Sequence, residues 1–190
     1  MRVIAGTAGG IRLDTPKTAV RPTMDRVKAA IFSSLGEEII GARVLDLFAG
    51  TGALGIEALS RGAASALFVE DNPQAITAIE RNLKRTKLEG QIRRQDVFAF
   101  LPSSRPPQPF QIIFADPPYE KTKSGDPYTN LLVENQHLAE MLATSGIFVL
   151  EKRPAERMPP TPLWNVIRAR TYGATEVLFL QRAPVTAGFK

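Results

Sequence analysis

The sequence predicts a doubly wound α/β fold, a parallel sheet with helices on both faces. Three observations carry this. The apolar runs at residues 44–48, 66–69, 112–115 and 147–150 are continuous rather than alternating, as in strands that are covered on both sides. Segments with helical spacing or helix-start signals stand between the runs. A glycine-rich turn, Gly50-Thr51-Gly52-Ala53-Leu54-Gly55, follows the first of them, where such folds pass from a strand into a helix.

Residues 2–5 and 11–13 flank Gly6-Thr7-Ala8-Gly9-Gly10, the signature of a hairpin. Arg21-Pro22-Thr23 begins a helix with Val27, Ala30, Ile31 and Leu35 on one face, and Gly36 ends it. Asn72-Pro73 supplies a capping side chain and a proline at the first helical position, so a helix is expected to about Lys87. Pro102-Ser103-Ser104-Arg105-Pro106-Pro107-Gln108-Pro109 reads as a short exposed loop. Asp126-Pro127 starts a further helix, on which His137 reads as a structural or surface residue. Residues 166–170 and 175–180 around Tyr172-Gly173-Ala174 form a second hairpin, expected to add an antiparallel pair at one side of the sheet.

The chain has 190 residues, no cysteine and one histidine. Disulfides and thiolate metal sites are excluded, and His-based zinc or serine-relay chemistry has almost no support. The start of the chain lacks a leader's apolar stretch, and no apolar run approaches the roughly eighteen residues of a membrane span, so a cytoplasmic protein is expected. The net charge is +5, with 6 Lys/Arg against 4 Asp/Glu in residues 1–40, 11 against 12 in residues 41–150, and 7 against 3 in residues 151–190. Basic ends around a carboxylate-bearing centre suit contact with a polyanion at the rim.

The glycine loop alone fits a dinucleotide as well as any other ligand, and carboxylates separate the readings. Asp46, Glu70, Asp71, Asp96 and Asp116 fall at or just after strand ends, which share one crevice in this fold. Such a crevice repels a pyrophosphate and attracts a cation, since opposite charges about 4 Å apart gain roughly 4 kcal/mol at an effective dielectric of 20. S-adenosylmethionine brings a sulfonium, an ammonium, a ribose for Glu70 and an adenine amino group for Asp96. Asp46, Phe48, Gly50, Thr51, Gly52, Glu70, Asp71, Asp96 and Val97 are the candidate cofactor residues, with Gly50 and Gly52 expected to admit the ligand where a side chain would fill its space. Asp96 could equally cap the segment 97–101. No metal is required.

Asp116-Pro117-Pro118-Tyr119 is similar to the (Asp/Asn)-Pro-Pro-aromatic motif of class I amino-methyltransferases. A base amino group is a weak nucleophile whose lone pair is delocalised into the ring. The Asp116 side chain and the Pro117 carbonyl can accept its two N–H bonds and aim that lone pair. Consecutive prolines stiffen the loop and remove backbone donors, and Tyr119 offers a stacking surface worth about 1–3 kcal/mol.

The flanks narrow the likeness. Residues 21–32 (RPTMDRVKAAIF) and 46–63 (DLFAGTGALGIEALSRGA) resemble the bacterial 16S ribosomal RNA guanine-N2 methyltransferase D family, as do the N-terminal hairpin and the closing Tyr172-Gly173-Ala174-Thr175. The resemblance implies a Rossmann-like class I methyltransferase fold with a mostly parallel seven-stranded sheet. It implies one domain over 1–190, with an RNA-contacting hairpin and helix at 1–40 and a catalytic core at 41–190. It further implies a monomer that methylates guanine 966 of 16S RNA in the small ribosomal subunit, with Asp116, Pro117, Pro118 and Tyr119 at the target base. Met24, where a small polar residue is expected, and the Pro-rich loop depart from the family without touching a motif.

With no separate RNA-binding domain, recognition falls to Arg21, Arg26, Lys28 and Lys121, and to Arg12, Lys17, Lys123, Lys152 and Arg153, as phosphate-positioning candidates. An adenine-N6 methyltransferase, a non-catalytic S-adenosylmethionine- or RNA-binding module, and a dehydrogenase remain as alternatives.

Overall fold

The computed structural model describes residues 1–15, 22–119 and 126–184. Among these, seven strands form one sheet in the order β3-β2-β1-β4-β5-β7-β6. The five strands β1 (Arg43–Leu47), β2 (Ser65–Glu70), β3 (Gln91–Arg94), β4 (Phe110–Ala115) and β5 (Leu142–Lys152) run parallel. β7 (Thr175–Arg182) pairs antiparallel with β5, and β6 (Trp164–Tyr172) pairs antiparallel with β7 at the edge. The expected mostly parallel sheet with an antiparallel pair at one side is what forms.

Strand alternation sorts the core onto two faces. Val44, Phe68, Ile112, Phe114, Val149, Val177 and Phe179 face one way, and meet α1 (Pro22–Leu35), α2 (Ala53–Ser60) and α3 (Pro73–Thr86) through Val27, Ile31, Phe32, Ile56, Ile79 and Leu83. Leu45, Leu47, Val69, Ile113, Phe148, Leu150 and Leu180 face the other way, against α4 (Val97–Ser103), α5 (Tyr128–Val133) and α6 (Gln136–Met141). As the sequence predicts, Asn72 caps α3 by accepting from the Gln74 and Ala75 amides and the helix ends near Lys87, which closes it in a left-handed conformation. The expected Pro-rich loop is shorter than its composition suggests, because Pro102 and Ser103 complete α4. Pro102 offers no amide to the carbonyl four residues earlier, and the helix ends one residue after it.

The N-terminal segment forms hairpin-type bonds, Val3 N–H to Ile11 O and Gly10 N–H to Val3 O (both 2.9 Å), around a single bridge between Arg2 and Arg12. It is fastened to α2. Glu57, 0% exposed, accepts from the amides of Ile4 (2.7 Å) and Ala5 (3.1 Å) and pairs with Lys28 (3.1 Å) and Arg61 (2.7 Å). Ser60 Oγ donates to the Ala5 carbonyl and accepts from the Ala8 amide. Gly6 sits at φ 84°, where a Cβ would lie 1.8 Å from the Ser60 carbonyl oxygen. Only glycine lets the two backbones approach this closely.

Candidate functional site

The C-terminal ends of β1, β2, β4 and β5 converge as the fold requires, and the carboxylates come with them. Asp46 is buried and its Oδ2 accepts the Gly55 amide at 2.9 Å, tying the strand to the start of α2. Glu70 Oε2 accepts the Gly50 amide (2.8 Å), while Oε1 accepts those of Asp71 (3.1 Å) and Asn72 (2.9 Å). Three amides therefore aim Glu70, and about one of its roughly four acceptor positions is left for a ligand hydroxyl. Asp96 caps α4 by accepting the Ala99 amide at 2.9 Å, and its exposed carboxylate still borders the cavity.

That cavity is a small cleft of about 80 Å³ between Phe48, Glu70, Asp71, Gln95, Asp96, Val97, Pro118 and Tyr128, less than the roughly 300–1,000 Å³ of small-molecule sites. Five residues expected to hold a cofactor line it. Phe48 is at φ 54°, a conformation an aromatic residue rarely adopts and one that tends to be held at functional sites. Its ring meets Tyr128 edge-on at 5.8 Å and Phe98 at 6.1 Å, and Phe98 stacks on Tyr128 at 6.0 Å. An apolar wall thus stands opposite the carboxylates, the combination that suits an adenosine bearing a cationic tail.

The two loop glycines divide their roles. A Cβ on Gly50 would meet only open space, with the Phe48 carbonyl 3.9 Å away, so the crevice side is free for a ligand. Gly52 departs from expectation. A Cβ there would press on Ile56, Ile79 and Phe68 at 3.2–3.3 Å, so core packing and its φ of 76° require this glycine. Thr51 contributes its carbonyl to Asn82 Nδ2 at 3.0 Å.

Asp116 directly follows β4, at the same sheet edge as the other strand-end carboxylates. Water reaches its side chain, yet protein surrounds the group closely enough to disfavour ionisation, and its pKa is pushed up to about 6 by burial. Asp46 is pushed up to about 8, by burial first and then by the charges of Asp116 and Glu70, against the Gly55 hydrogen bond. Pro117 is buried and Pro118 exposed. Tyr119 is held on two sides, by a 3.0 Å hydrogen bond between its hydroxyl and that of Thr175, and by the Arg153 guanidinium 5.2 Å from its ring centre.

Glu151 is a site residue the sequence reading passed over. It directly follows the apolar run 147–150, the same signal that picked out the other strand-end carboxylates. Burial and the charges of Asp116 and Asp46 raise its pKa well above the ordinary value. Phe98 and Tyr128 left no comparable signal, because an aromatic residue in a helix reads as core.

Two basic residues expected at phosphates are buried. Lys28 is 3% exposed. Its ammonium pairs with Glu57 and donates to the Arg2 carbonyl at 2.6 Å, and burial lowers its pKa. Lys152 donates to the carbonyls of Arg153 and Glu156 and pairs with Glu176. Both apolar stems favour burial once a partner takes the charge. Arg12, Arg26 and Arg153 stand exposed, whereas Lys17, Arg21, Lys121 and Lys123 lie outside the described residues.

These carboxylates set the pH dependence of stability. Raised in the folded state, they bind protons between about pH 4 and pH 8 that the unfolded chain has already released, so stability falls as pH rises through that window. The thermal midpoint is expected to be lower at about pH 8 than at about pH 5, and Asp46→Asn should flatten the trend. A midpoint that climbs over the interval would contradict this account of Asp46.

Residues 1–181 match the family described as Conserved hypothetical protein 95. The ribosomal RNA small subunit methyltransferase D of Escherichia coli (strain K12) is 32% identical over 185 residues, 96% of this chain and 90% of that protein. The YlbH protein of Bacillus subtilis (strain 168) is 39% identical over 187 residues, 96% and 99% of the two chains. The solved structure of yhhF from Escherichia coli superposes with a TM-score of 0.78 at 32% identity, covering 96% of this chain and 98% of that one. At 24% identity and a TM-score of 0.65, the Thermus thermophilus 16S rRNA N2 G1207 methyltransferase, solved with AdoMet and guanosine, matches 87% of this chain and 44% of its own length. That likeness supports the Rossmann-like class I methyltransferase fold. With the glycine loop, the acidic strand ends and the Asp-Pro-Pro-Tyr segment assembled in one crevice, the chain belongs to the ribosomal RNA small subunit methyltransferase D family.

Proposed function

We propose that this protein transfers one methyl from S-adenosylmethionine to the N2 amino group of a guanine in small-subunit ribosomal RNA. The observation that carries the reading is Asp116, with Pro117, Pro118 and Tyr119 behind it, at a sheet edge whose other strand ends bear Asp46, Glu70 and Glu151. The ribosomal RNA is supported by the name of the Escherichia coli relative, and guanine 966 is the finer expectation from the family likeness.

The donor supplies an electrophilic methyl on a positively charged sulfur. Around it, Asp46, Asp116 and Glu151 provide the compensating charge, Glu70 is aimed to take a ribose hydroxyl, and Phe48, Phe98 and Tyr128 wall the adenosine side. Asp71, Asp96 and Val97 border the same cavity. Asp116 and the Pro117 carbonyl accept the two amino hydrogens, so that the nitrogen lone pair points at the methyl. Alignment of this kind is worth effective molarities of about 10⁵–10⁸ M. Tyr119, fixed by Thr175 and Arg153, is placed to stack on the target base, and Arg153 with the exposed Arg26 and Arg12 would meet phosphates.

The test is incubation of the protein with small ribosomal subunits and a labelled methyl donor, followed by nucleoside analysis. N2-methylguanosine is expected, at a higher level on subunits than on deproteinised 16S RNA, since a protein this small relies on shape built by the particle. N6-methyladenosine, or no labelled nucleoside, would overturn the assignment.

A further inference from the structure

An amino group that accepts a methyl must lose a proton, and the crevice holds more carboxyls than the donor's charge requires. Phe114 and Val149 are register partners on β4 and β5 and share one sheet face. Two residues further on, Glu151 keeps that face within β5 and Asp116 stands one residue past the end of β4, on neighbouring strands about 4.8 Å apart. Asp46, the register partner of Phe114 on β1, shares the face. The charges around Glu151 are therefore Asp46 from β1, Glu70 beyond it on β2, Asp116 from β4, and the Arg153 guanidinium, drawn over Tyr119. Lys152 turns to the opposite face and is neutralised by Glu176 of β7.

We propose that Asp116 and Glu151 act as one proton acceptor, ionised while the donor carries its sulfonium charge and taking up the amino group's surplus proton once that charge is gone. Asp116 receives the proton, and Glu151 is a positioning residue whose charge strengthens Asp116 as a base. The step balances. The S–C bond breaks with its electron pair left on sulfur, the N–C bond forms from the amino lone pair, and one N–H electron pair stays on nitrogen as the proton passes to carboxylate. A unit positive charge at contact range changes a carboxyl's proton affinity by orders of magnitude. The same event that creates the surplus proton thereby creates its acceptor. The raised pKa values of both carboxyls without a cation nearby agree with this.

This inference rests on the amino-acceptor reading. Calorimetric titration at about pH 7, in two buffers of different ionisation enthalpy, counts the protons released when S-adenosylmethionine or the uncharged-sulfur product S-adenosylhomocysteine binds. The wild type is expected to release more protons with the sulfonium ligand than with the product, and Glu151→Gln to reduce that difference, the remainder coming from Asp46, which is also raised above pH 7. In single-turnover transfer with saturating donor, the acidic limb of the pH profile should move about one unit lower in Glu151→Gln, with Glu151→Asp between it and the wild type. Equal proton counts for the two ligands in the wild type, or an unmoved acidic limb alongside a confirmed N-methylated base, would overturn the proton-acceptor role alone. A product methylated on carbon or oxygen would overturn the amino-acceptor reading with it.

Discussion

Replacing Asp116 by Ala is expected to lower methyl transfer at least about a hundredfold while the methyl donor still binds, the scale seen when one preorganised polar group is taken from a transition state. Ala at this position removes an acceptor that the Pro-Pro loop cannot replace, because its only other contribution is a carbonyl. Donor binding survives because the loop around Gly50, the amide-aimed Glu70 and the Phe48-Phe98-Tyr128 wall are untouched. Asp116→Asn keeps an acceptor oxygen and should retain much more activity than Ala, while losing the acidic limb that Asp116 contributes. The measurements are single-turnover transfer and calorimetric binding on the same preparations. Unchanged transfer in the Ala variant would remove Asp116 from the mechanism altogether.

The second large effect is structural. Glu57→Ala is expected to cost about 3–5 kcal/mol, since it leaves the buried Lys28 ammonium without its counter-charge and two half-buried amides without their acceptor. For a chain of this size that corresponds to a fall in Tm of roughly 10 °C. Urea unfolding and thermal melts give the number. Amide exchange gives the location, with Ile4 and Ala5 losing protection ahead of the sheet. Glu57→Gln, which keeps an oxygen acceptor but not the charge, should lie between. A loss under about 1 kcal/mol would mean that Lys28 finds another partner or reaches water.

Residues whose role depends on strand direction and end position were legible in the sequence. Glu70 and Asp116 were found because a carboxylate that terminates a continuous apolar run has only one place to go in a doubly wound sheet, and Asp46 because it lies within such a run near its C-terminal end. Glu151 obeys the same rule and was missed, since the segment after 147–150 was read as basic, from Lys152 and Arg153. The strand β3 left little trace because it is an edge strand with only Ile92 turned inward, so neither a continuous run nor a clear alternation marks it. Lys28 looks identical in sequence to a surface cation. Its burial follows from Glu57, 29 positions away, and no local pattern reports so distant a partner. Gly52 fits a ligand-binding motif and is held there by packing, a distinction that depends on where Phe68 and Ile79 lie in space.

The position of β7 bears on the order in which the molecule can be completed. Among the described residues β7 is the last strand, yet it lies inside the sheet, between β5 and the earlier-made edge strand β6. A chain growing from a ribosome has the strands of the acidic crevice once β1, β2, β4 and β5 are made, but β6 has no strand to pair with until β7 emerges and joins β5. Thr175, the hydroxyl that holds Tyr119, arrives with that final strand. On the proposed function, the strands that would hold the donor therefore precede the strand that fixes Tyr119. A truncated chain ending before Thr175 would lack the hydroxyl that holds Tyr119.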